Sequence, residues 1–157
     1  YAGGAMTCDA YHLTSPAPDG HGAIRAFNLC LQNAGLKPEE VDYLNAHGTS
    51  TPVNDPTETS AIKHVFGDYA YKLHISSTKS MMGHTLGAAG GLEAVVSVLA
   101  LQNNFIPPTI NLDEPGEGCD LNYTPNVGQS AQLNVVMSDS LGFGGHNGVV
   151  CFKKLKE

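Results

Sequence analysis

Leu73-His-Ile-Ser-Ser-Thr-Lys-Ser-Met-Met-Gly-His-Thr-Leu-Gly-Ala-Ala-Gly-Gly-Leu-Glu-Ala-Val-Val-Ser-Val-Leu-Ala-Leu-Gln102 is the stretch on which the fold turns. It opens as a short strand candidate, Leu73 to Ser77, and crosses a polar turn into a helix predicted over roughly Thr85 to Gln102. That helix is apolar nearly all round, which predicts burial on most sides. Gly87, Gly90 and Gly91 are costly inside a helix and make sense where another backbone packs closely. Pro107 and Pro108 block any continuation.

The same strand-then-helix order recurs upstream. Ala23, Ile24, Phe27, Leu31 and Ala34 repeat at helical spacing, and Gly35 is a plausible stop. Val41 to Ala46 reads as a strand running into His47-Gly48. Asp55-Pro-Thr-Glu58 reads as a helix start, with Asp55 as cap, Pro56 in the first turn and Glu58 closing a capping box. Ala61, Ile62, Val65 and Phe66 supply its apolar face, and Gly67 ends it. Downstream, Asn111 to Gln132 has no clear period. Two further strands, near Leu133–Ser138 and Asn147–Phe152, are joined by Gly142-Phe-Gly-Gly145. Alternation ending in a hairpin-like pair predicts an α/β sheet with helices on both faces. The chemistry-bearing residues fall just after strand ends, where open α/β sheets place their sites.

The 157 residues suit one domain, and 41% hydrophobic content supplies a core that must be aliphatic, since Trp is absent. A net charge of -7 with eight Lys+Arg argues against nucleic-acid binding. Cys8, Cys30, Cys119 and Cys151 are scattered without a C-x-x-C pair, which predicts reduced thiols in a cytosol-like compartment. No signal peptide is expected. The longest apolar stretch, Leu86 to Leu101, contains Glu93 and is short for a membrane span. The chain opens at Tyr1-Ala-Gly-Gly without an initiator Met and reads like the interior of a longer protein.

Two histidines carry the chemical reading. His47 sits in Asn45-Ala-His-Gly-Thr-Ser-Thr51, after a strand and among small hydroxylated neighbours. Such an imidazole can donate to a developing oxyanion or relay a proton. His84 is predicted to open the apolar helix, where a helix N-terminus favours the neutral ring. Alone, each has a structural alternative: a strand-end His satisfied by its turn, or a helix cap. Glu93 is the only acidic residue in the apolar helix, and a buried carboxylate needs a partner. Lys79 is the candidate; otherwise Glu93 lies on an exposed stripe beside Ser97. In the glycine turn, Gly144 and its neighbours let backbone N–H groups approach a ligand and Phe143 can gate a pocket, the alternative being a plain hairpin turn. Asp9 and His12 lie in a loop ahead of Pro16 and Pro18. His21, His64 and His74 form no constellation, and the histidine spacing argues against a metal site.

Together, Asn45-Ala-His-Gly-Thr-Ser-Thr-Pro52, Ser77-Thr-Lys-Ser-Met-Met-Gly-His-Thr-Leu-Gly-Ala-Ala-Gly-Gly-Leu-Glu93, Pro107-Pro-Thr-Ile-Asn-Leu112 and Gly142-Phe-Gly-Gly145 resemble the condensing β-ketoacyl-[acyl-carrier-protein] synthases, in particular the elongating type of type II fatty acid synthesis. The resemblance covers essentially the whole chain. It implies a thiolase-like fold, of which residues 1–157 form the C-terminal half, a mixed five-stranded sheet with helices on both faces. It implies a Cys–His–His triad whose Cys lies in an absent N-terminal half, with His47 and His84 as the histidines and Lys79 and Glu93 supporting them. Phe143 corresponds to the gating Phe, Asp9 and His12 to a loop that moves with the gate, and Thr49 and Thr51 to the malonyl and pantetheine channel.

The implied reaction is decarboxylative condensation of malonyl-[acyl-carrier protein] with an acyl-enzyme thioester. It needs no metal or redox cofactor, and its implied partners are acyl carrier protein, the N-terminal half and a second copy in a homodimer. The implied compartment is the bacterial cytoplasm, or a plastid or mitochondrial matrix in a eukaryote. Asp139 and Leu141 depart from the family's common Asn and Phe; Asp139 is expected to add a charge near the turn, and Leu141 bears on chain-length preference. His146 replaces a frequent Thr. The rival readings are a non-catalytic subunit resembling a chain-length factor, and a thiolase, which needs a Cys where Phe143-Gly-Gly stands.

Overall fold

The computed structural model describes residues 1–155. In chain order the elements are β1 (Gly3–Cys8), α1 (His21–Ala34), β2 (Tyr43–Asn45), α2 (Asn54–Phe66), β3 (His74–Ser76), α3 (Lys79–Met82), α4 (Ala89–Asn103), β4 (Phe105–Ile106), β5 (Gln129–Ser130), β6 (Val135–Gly142) and β7 (His146–Lys153). Five strands form one mixed sheet in the order β1-β7-β6-β2-β3. β6, β2 and β3 run parallel, while β7 is antiparallel to both β6 and β1. The predicted sheet with helices on both faces is therefore the observed one.

Alternation along the strands decides which side each residue serves. On one face Leu44 of β2, Ile75 of β3, Met137 of β6 and Val149 and Cys151 of β7 meet Phe27, Cys30 and Leu31 of α1 and Ile62 and Phe66 of α2. On the other, Tyr43 and Val136 meet Ala100 and Leu101 of α4, with Ile106 and Leu133. The first layer is the larger core. Helix α1 ends as expected: Gly35 is left-handed at φ 64, and its N–H returns to the carbonyls of Gln32 and Leu31. All four cysteines are unpaired.

Four expectations need correction. β1 was not foreseen, because Gly-Gly-Ala-Met-Thr-Cys has little intrinsic strand propensity. Its six residues are held by their ladder to β7 instead. The short β4–β5 pair likewise emerges partly from the segment without a clear period. The capping box at Asp55 does not form: α2 starts at Asn54 with no side-chain cap, and Glu58 points elsewhere.

The helix predicted from Thr85 is split. A 3-10 turn, Leu86–Ala88, precedes α4, and Leu86 takes a positive φ of 52. Leu86 to Asn103 is long and apolar enough for a membrane span by length and composition alone. The break and the buried, ion-paired Glu93 mark it instead as a core helix. It is a core helix with one open side, however. Leu92, Val95 and Leu99 are 41%, 59% and 50% exposed. Gly87 and Gly91 meet no neighbour among the described residues, so the close backbone packing expected of them does not occur there.

Candidate active site

Parallel pairing makes the site. β2, β3 and β6 point the same way, so the residues that follow their C-terminal ends share one edge of the sheet. His47 follows β2, Ser77, Thr78 and Lys79 follow β3, and Asp139 and Ser140 lie in the last half of β6. Side chains tie these ends together. Ser77 Oγ contacts the carbonyl oxygens of Gly48 at 2.9 Å and His47 at 3.3 Å as donor. Asn45 Nδ2 donates to Thr78 Oγ1 at 3.3 Å.

His47 is buried, and its turn is held from below by Glu58. The Glu58 carboxylate accepts the His47 N–H at 2.8 Å on one oxygen and the Gly48 N–H at 2.9 Å on the other. Asn54 Nδ2 adds a third donor at 2.9 Å. Burial pushes the His47 imidazole down to about 3, with the charges of Lys79 and His84 acting in the same direction. The ring is therefore neutral near physiological pH.

His84 stands across from it. The two imidazoles meet edge to face, with centroids 5.4 Å apart and planes at 85°. His84 does not sit on the helix N-terminus, as the sequence suggested; it precedes the 3-10 turn and is exposed. The turn still determines its tautomer. The Leu86 N–H donates to His84 Nδ1 at 3.2 Å, so the proton of the neutral ring is on Nε2. His84 thus offers an N–H donor to whatever occupies the site.

Lys79 and Glu93 are joined as predicted. Both are buried, their side chains form an ion pair, and Ser140 Oγ donates to the second Glu93 oxygen at 3.3 Å. A cleft of about 1080 Å³ leads along this edge, lined by Thr49, Thr51, Lys79, His84, Thr109 and Tyr123 among others. Thr49 and Thr51 bring their hydroxyls within 3.0 Å of each other there.

The glycine turn is not part of the cleft lining and is locked to the Asp9 loop. Gly144 and Gly145 take φ of 81 and 78, and a Cβ on Gly145 would stand 3.0 Å from Asp9 Cβ. Asp9 accepts from Asn147 Nδ2 at 2.7 Å and from the Ala17 N–H at 2.9 Å, and its own N–H donates to Gly145 O. The Gly144 N–H is committed to Leu13 O at 2.7 Å and so serves the turn. Phe143 projects outward, 75% exposed. His12 is exposed and uses Nδ1 to accept the Thr14 and Ser15 N–H groups, which shapes its own loop.

Residues 1–113 match the family described as β-ketoacyl synthase, C-terminal domain, a span that contains His47, Lys79, His84 and Glu93. The chain belongs to the β-ketoacyl synthase family. Among curated relatives, it is 57% identical over 152 residues to 3-oxoacyl-[acyl-carrier-protein] synthase 2 of Synechocystis, covering 97% of this chain and 36% of that protein. It is 55% identical over 153 residues to the protein of the same name from Coxiella burnetii, covering 98% of this chain and 37% of the relative. The β-ketoacyl synthase chain thus spans a little over a third of the length of these relatives. Among solved structures, a ketosynthase complexed with its type II polyketide acyl-carrier protein superposes at TM-score 0.95 and 39% identity, over 99% of this chain and 38% of that one. A β-ketoacyl synthase from Burkholderia phymatum gives 0.91 and 36%, over 99% and 37%. The thiolase-like fold of this family is thereby established for the chain.

Sequence reasoning missed Glu58, Asp139 and Ser140. Glu58 carried the signature of a capping box, and nothing in its neighbours distinguishes the two roles. Gly48 was passed over as well. It sits at φ +41, and a Cβ there would come within 2.5 Å of Ser77 Cβ. Gly48→Ala is expected to destabilise the fold by about 1–3 kcal/mol through backbone strain and displacement of Ser77. A urea midpoint indistinguishable from the parent would contradict this.

Proposed function

We propose that this domain supplies the decarboxylation and condensation half of the active site of an elongating β-ketoacyl-[acyl-carrier-protein] synthase. The observation that carries the reading is the edge-to-face pair of imidazoles, of which His84 lines the cleft and bears its proton on Nε2. Two neutral N–H donors aimed at one thioester oxygen suit an enolate. Malonyl thioester loses CO₂ by cleavage of its carboxyl C–C bond, and the electron pair moves into the thioester as an enolate held by His47 and His84. The enolate carbon attacks the acyl-enzyme carbonyl, and the enzyme's thiolate leaves as the β-ketoacyl thioester forms. The sequence is redox-neutral and its charge is met by hydrogen-bond donors, so it calls for no metal or redox cofactor.

None of the four cysteines fits the role of nucleophile. Cys30 and Cys151 are buried, which pushes their thiols up to about 12 and about 11; Cys8 ends β1, and Cys119, although it lines the cleft, lies in a loop that follows no strand of the His47 edge. By resemblance to the family, the nucleophile is a Cys of an N-terminal half. The open side of α4, with Leu92, Val95 and Leu99 exposed, offers that half an apolar surface to cover. The substrates arrive on acyl carrier protein, consistent with the solved ketosynthase in complex with its carrier protein. The complete enzyme acts as a homodimer, and unpaired thiols fit a reducing cytosol.

The test compares the full-length enzyme with the isolated 157-residue chain, measuring CO₂ release from malonyl-carrier protein and β-ketoacyl product. The full-length enzyme is expected to turn over and the isolated chain to give none. Product formation by the isolated chain overturns the division of the active site, and a full-length enzyme inert toward malonyl-carrier protein overturns the reaction.

A further inference from the structure

β3 is an edge of the five-stranded sheet, and the segment without a clear period covers its outer side. The Ile75 N–H donates to Asn122 O at 3.0 Å, and Thr124 Oγ1 donates to Ile75 O at 2.9 Å. The same segment holds Thr109, whose N–H donates to Thr124 O at 2.9 Å and whose carbonyl accepts the Asn126 N–H at 2.8 Å. Thr109 and Ile110 in turn form part of the cleft wall.

Two hydroxyls join that wall to the end of β3. Thr109 Oγ1 accepts the Ser77 N–H at 3.0 Å and donates its proton to Tyr123 O at 2.8 Å. Ser80 Oγ accepts the Ile110 N–H at 3.0 Å and donates to Ser77 O at 2.9 Å. Both main-chain groups of Ser77 are thus held from the wall side. Its side chain reaches the other way, to the carbonyl oxygens of Gly48 and His47. A hydroxyl has one proton, so the two carbonyls share it. Sharing needs a close approach, and Gly48 provides it by lacking a Cβ that would stand 2.5 Å from Ser77 Cβ. Ser77 is buried, so bulk water does not replace a partner lost there.

We propose that Ser77 and Thr109 form a hydroxyl clamp that fixes the His47 turn against the cleft wall, with Thr109 a positioning residue that acts on His47 through Ser77. The Thr109 proton is committed to Tyr123 O, so that hydroxyl has none to donate to a substrate. The effect of the clamp on catalysis rests on the condensing reading above; the clamp itself does not. In that reading the thioester lies along the wall and its oxygen meets His47, so the clamp sets the spacing of the two surfaces. A misplacement of about 1 Å between such surfaces costs up to about 10²-fold in rate.

Three variants separate the clamp from bulk and from substrate contact. Thr109→Val keeps the shape of the side chain but leaves the Ser77 N–H and Tyr123 O without their partner. Thr109→Ser keeps the hydroxyl and loses only a methyl. Ser77→Ala keeps its own N–H on Thr109 and releases the carbonyls of the His47 turn. The two damaging changes break one path at different points, so their effects should not multiply.

The experiment uses the full-length enzyme and measures CO₂ release from malonyl-carrier protein together with amide hydrogen exchange in peptides across 74–80. Thr109→Val is expected to lower kcat about 10–100-fold with KM little changed, and Thr109→Ser to stay close to wild type. Ser77→Ala should resemble Thr109→Val, and the double variant should lose about as much as the worse single one. Exchange at Ser77 should quicken at least about fivefold in Thr109→Val, the worth of one neutral hydrogen bond, and not in Thr109→Ser. A raised KM at unchanged kcat would place Thr109 against the substrate and overturn the proposal. So would Thr109→Ser as impaired as Thr109→Val, or losses that multiply in the double variant. If Thr109→Val does not fold, Ser77→Ala and Thr109→Ser decide: the first must lose kcat alone and the second must not. Enzymes that show the expected exchange pattern while wild type does not decarboxylate malonyl-carrier protein uphold the clamp and overturn only the reaction.

Discussion

Replacing His84 with alanine in the full-length enzyme is expected to lower malonyl-carrier protein decarboxylation by about 10²–10³-fold, the usual loss on removing one preorganised oxyanion donor. The donor is preorganised because Leu86 occupies Nδ1 and leaves the proton on Nε2. His47→Ala should match this in kind, since the two rings lie in contact 5.4 Å apart, and the double variant should lose less than the product of the two. Acylation of the cysteine in the N-terminal half should change far less than decarboxylation, because no enolate forms in that step. Equal losses in both half-reactions would refute the assignment. The acid side adds a check. With its imidazole depressed from 6.5 to about 3, His47 contributes stability that is present above 6.5 and is lost as pH falls toward 3. His47→Asn should reduce that acid sensitivity.

The second large effect concerns folding. Lys79 and Glu93 are ion-paired at 5% and 1% side-chain exposure. Lys79→Met leaves the Glu93 carboxylate buried with only the Ser140 hydroxyl, and stranding one member of such a pair costs about 3–5 kcal/mol. Against a typical domain stability of about 5–15 kcal/mol, that is enough to cut the soluble yield sharply. Lys79→Met with Glu93→Leu removes both charges and should recover most of the denaturation midpoint, as paired replacement of buried ions often does. Catalysis should not return in step. Lys79 helps keep His47 neutral, and the double variant loses that influence. A double variant as unstable as Lys79→Met alone would show that packing, not charge, is what the pair provides.

These two predictions rest on residues of different legibility. His47 was visible as a residue after a predicted strand, His84 as one opening a predicted helix, and Lys79 and Glu93 as a buried acid with one cation within reach. Glu58 had the local appearance of a helix cap, and Asp139 that of a charged residue near a turn. The role of Glu58 depends on α2 reaching the turn after β2, and the burial of Asp139 on β6 pairing with β2, arrangements between segments that no local pattern reports. The split of the long apolar helix at Leu86–Ala88 was hidden for a related reason: hydrophobicity marks what must be buried, not which partner buries it.

Local periodicity and turn chemistry determined the alternation of strands and helices, the stop at Gly35, and the placing of His47 at a strand end. Those features depend on neighbours in sequence, so they can be read from it. Only the tertiary structure decided that β1 exists, that the histidines meet at 5.4 Å, that α4 leaves one apolar side open, and that Glu58 and Asp139 are each buried. Each of these depends on which segments are brought side by side. Burial then sets the charge states, because the same carboxyl or imidazole that ionises freely in water does so only at a cost once water is excluded.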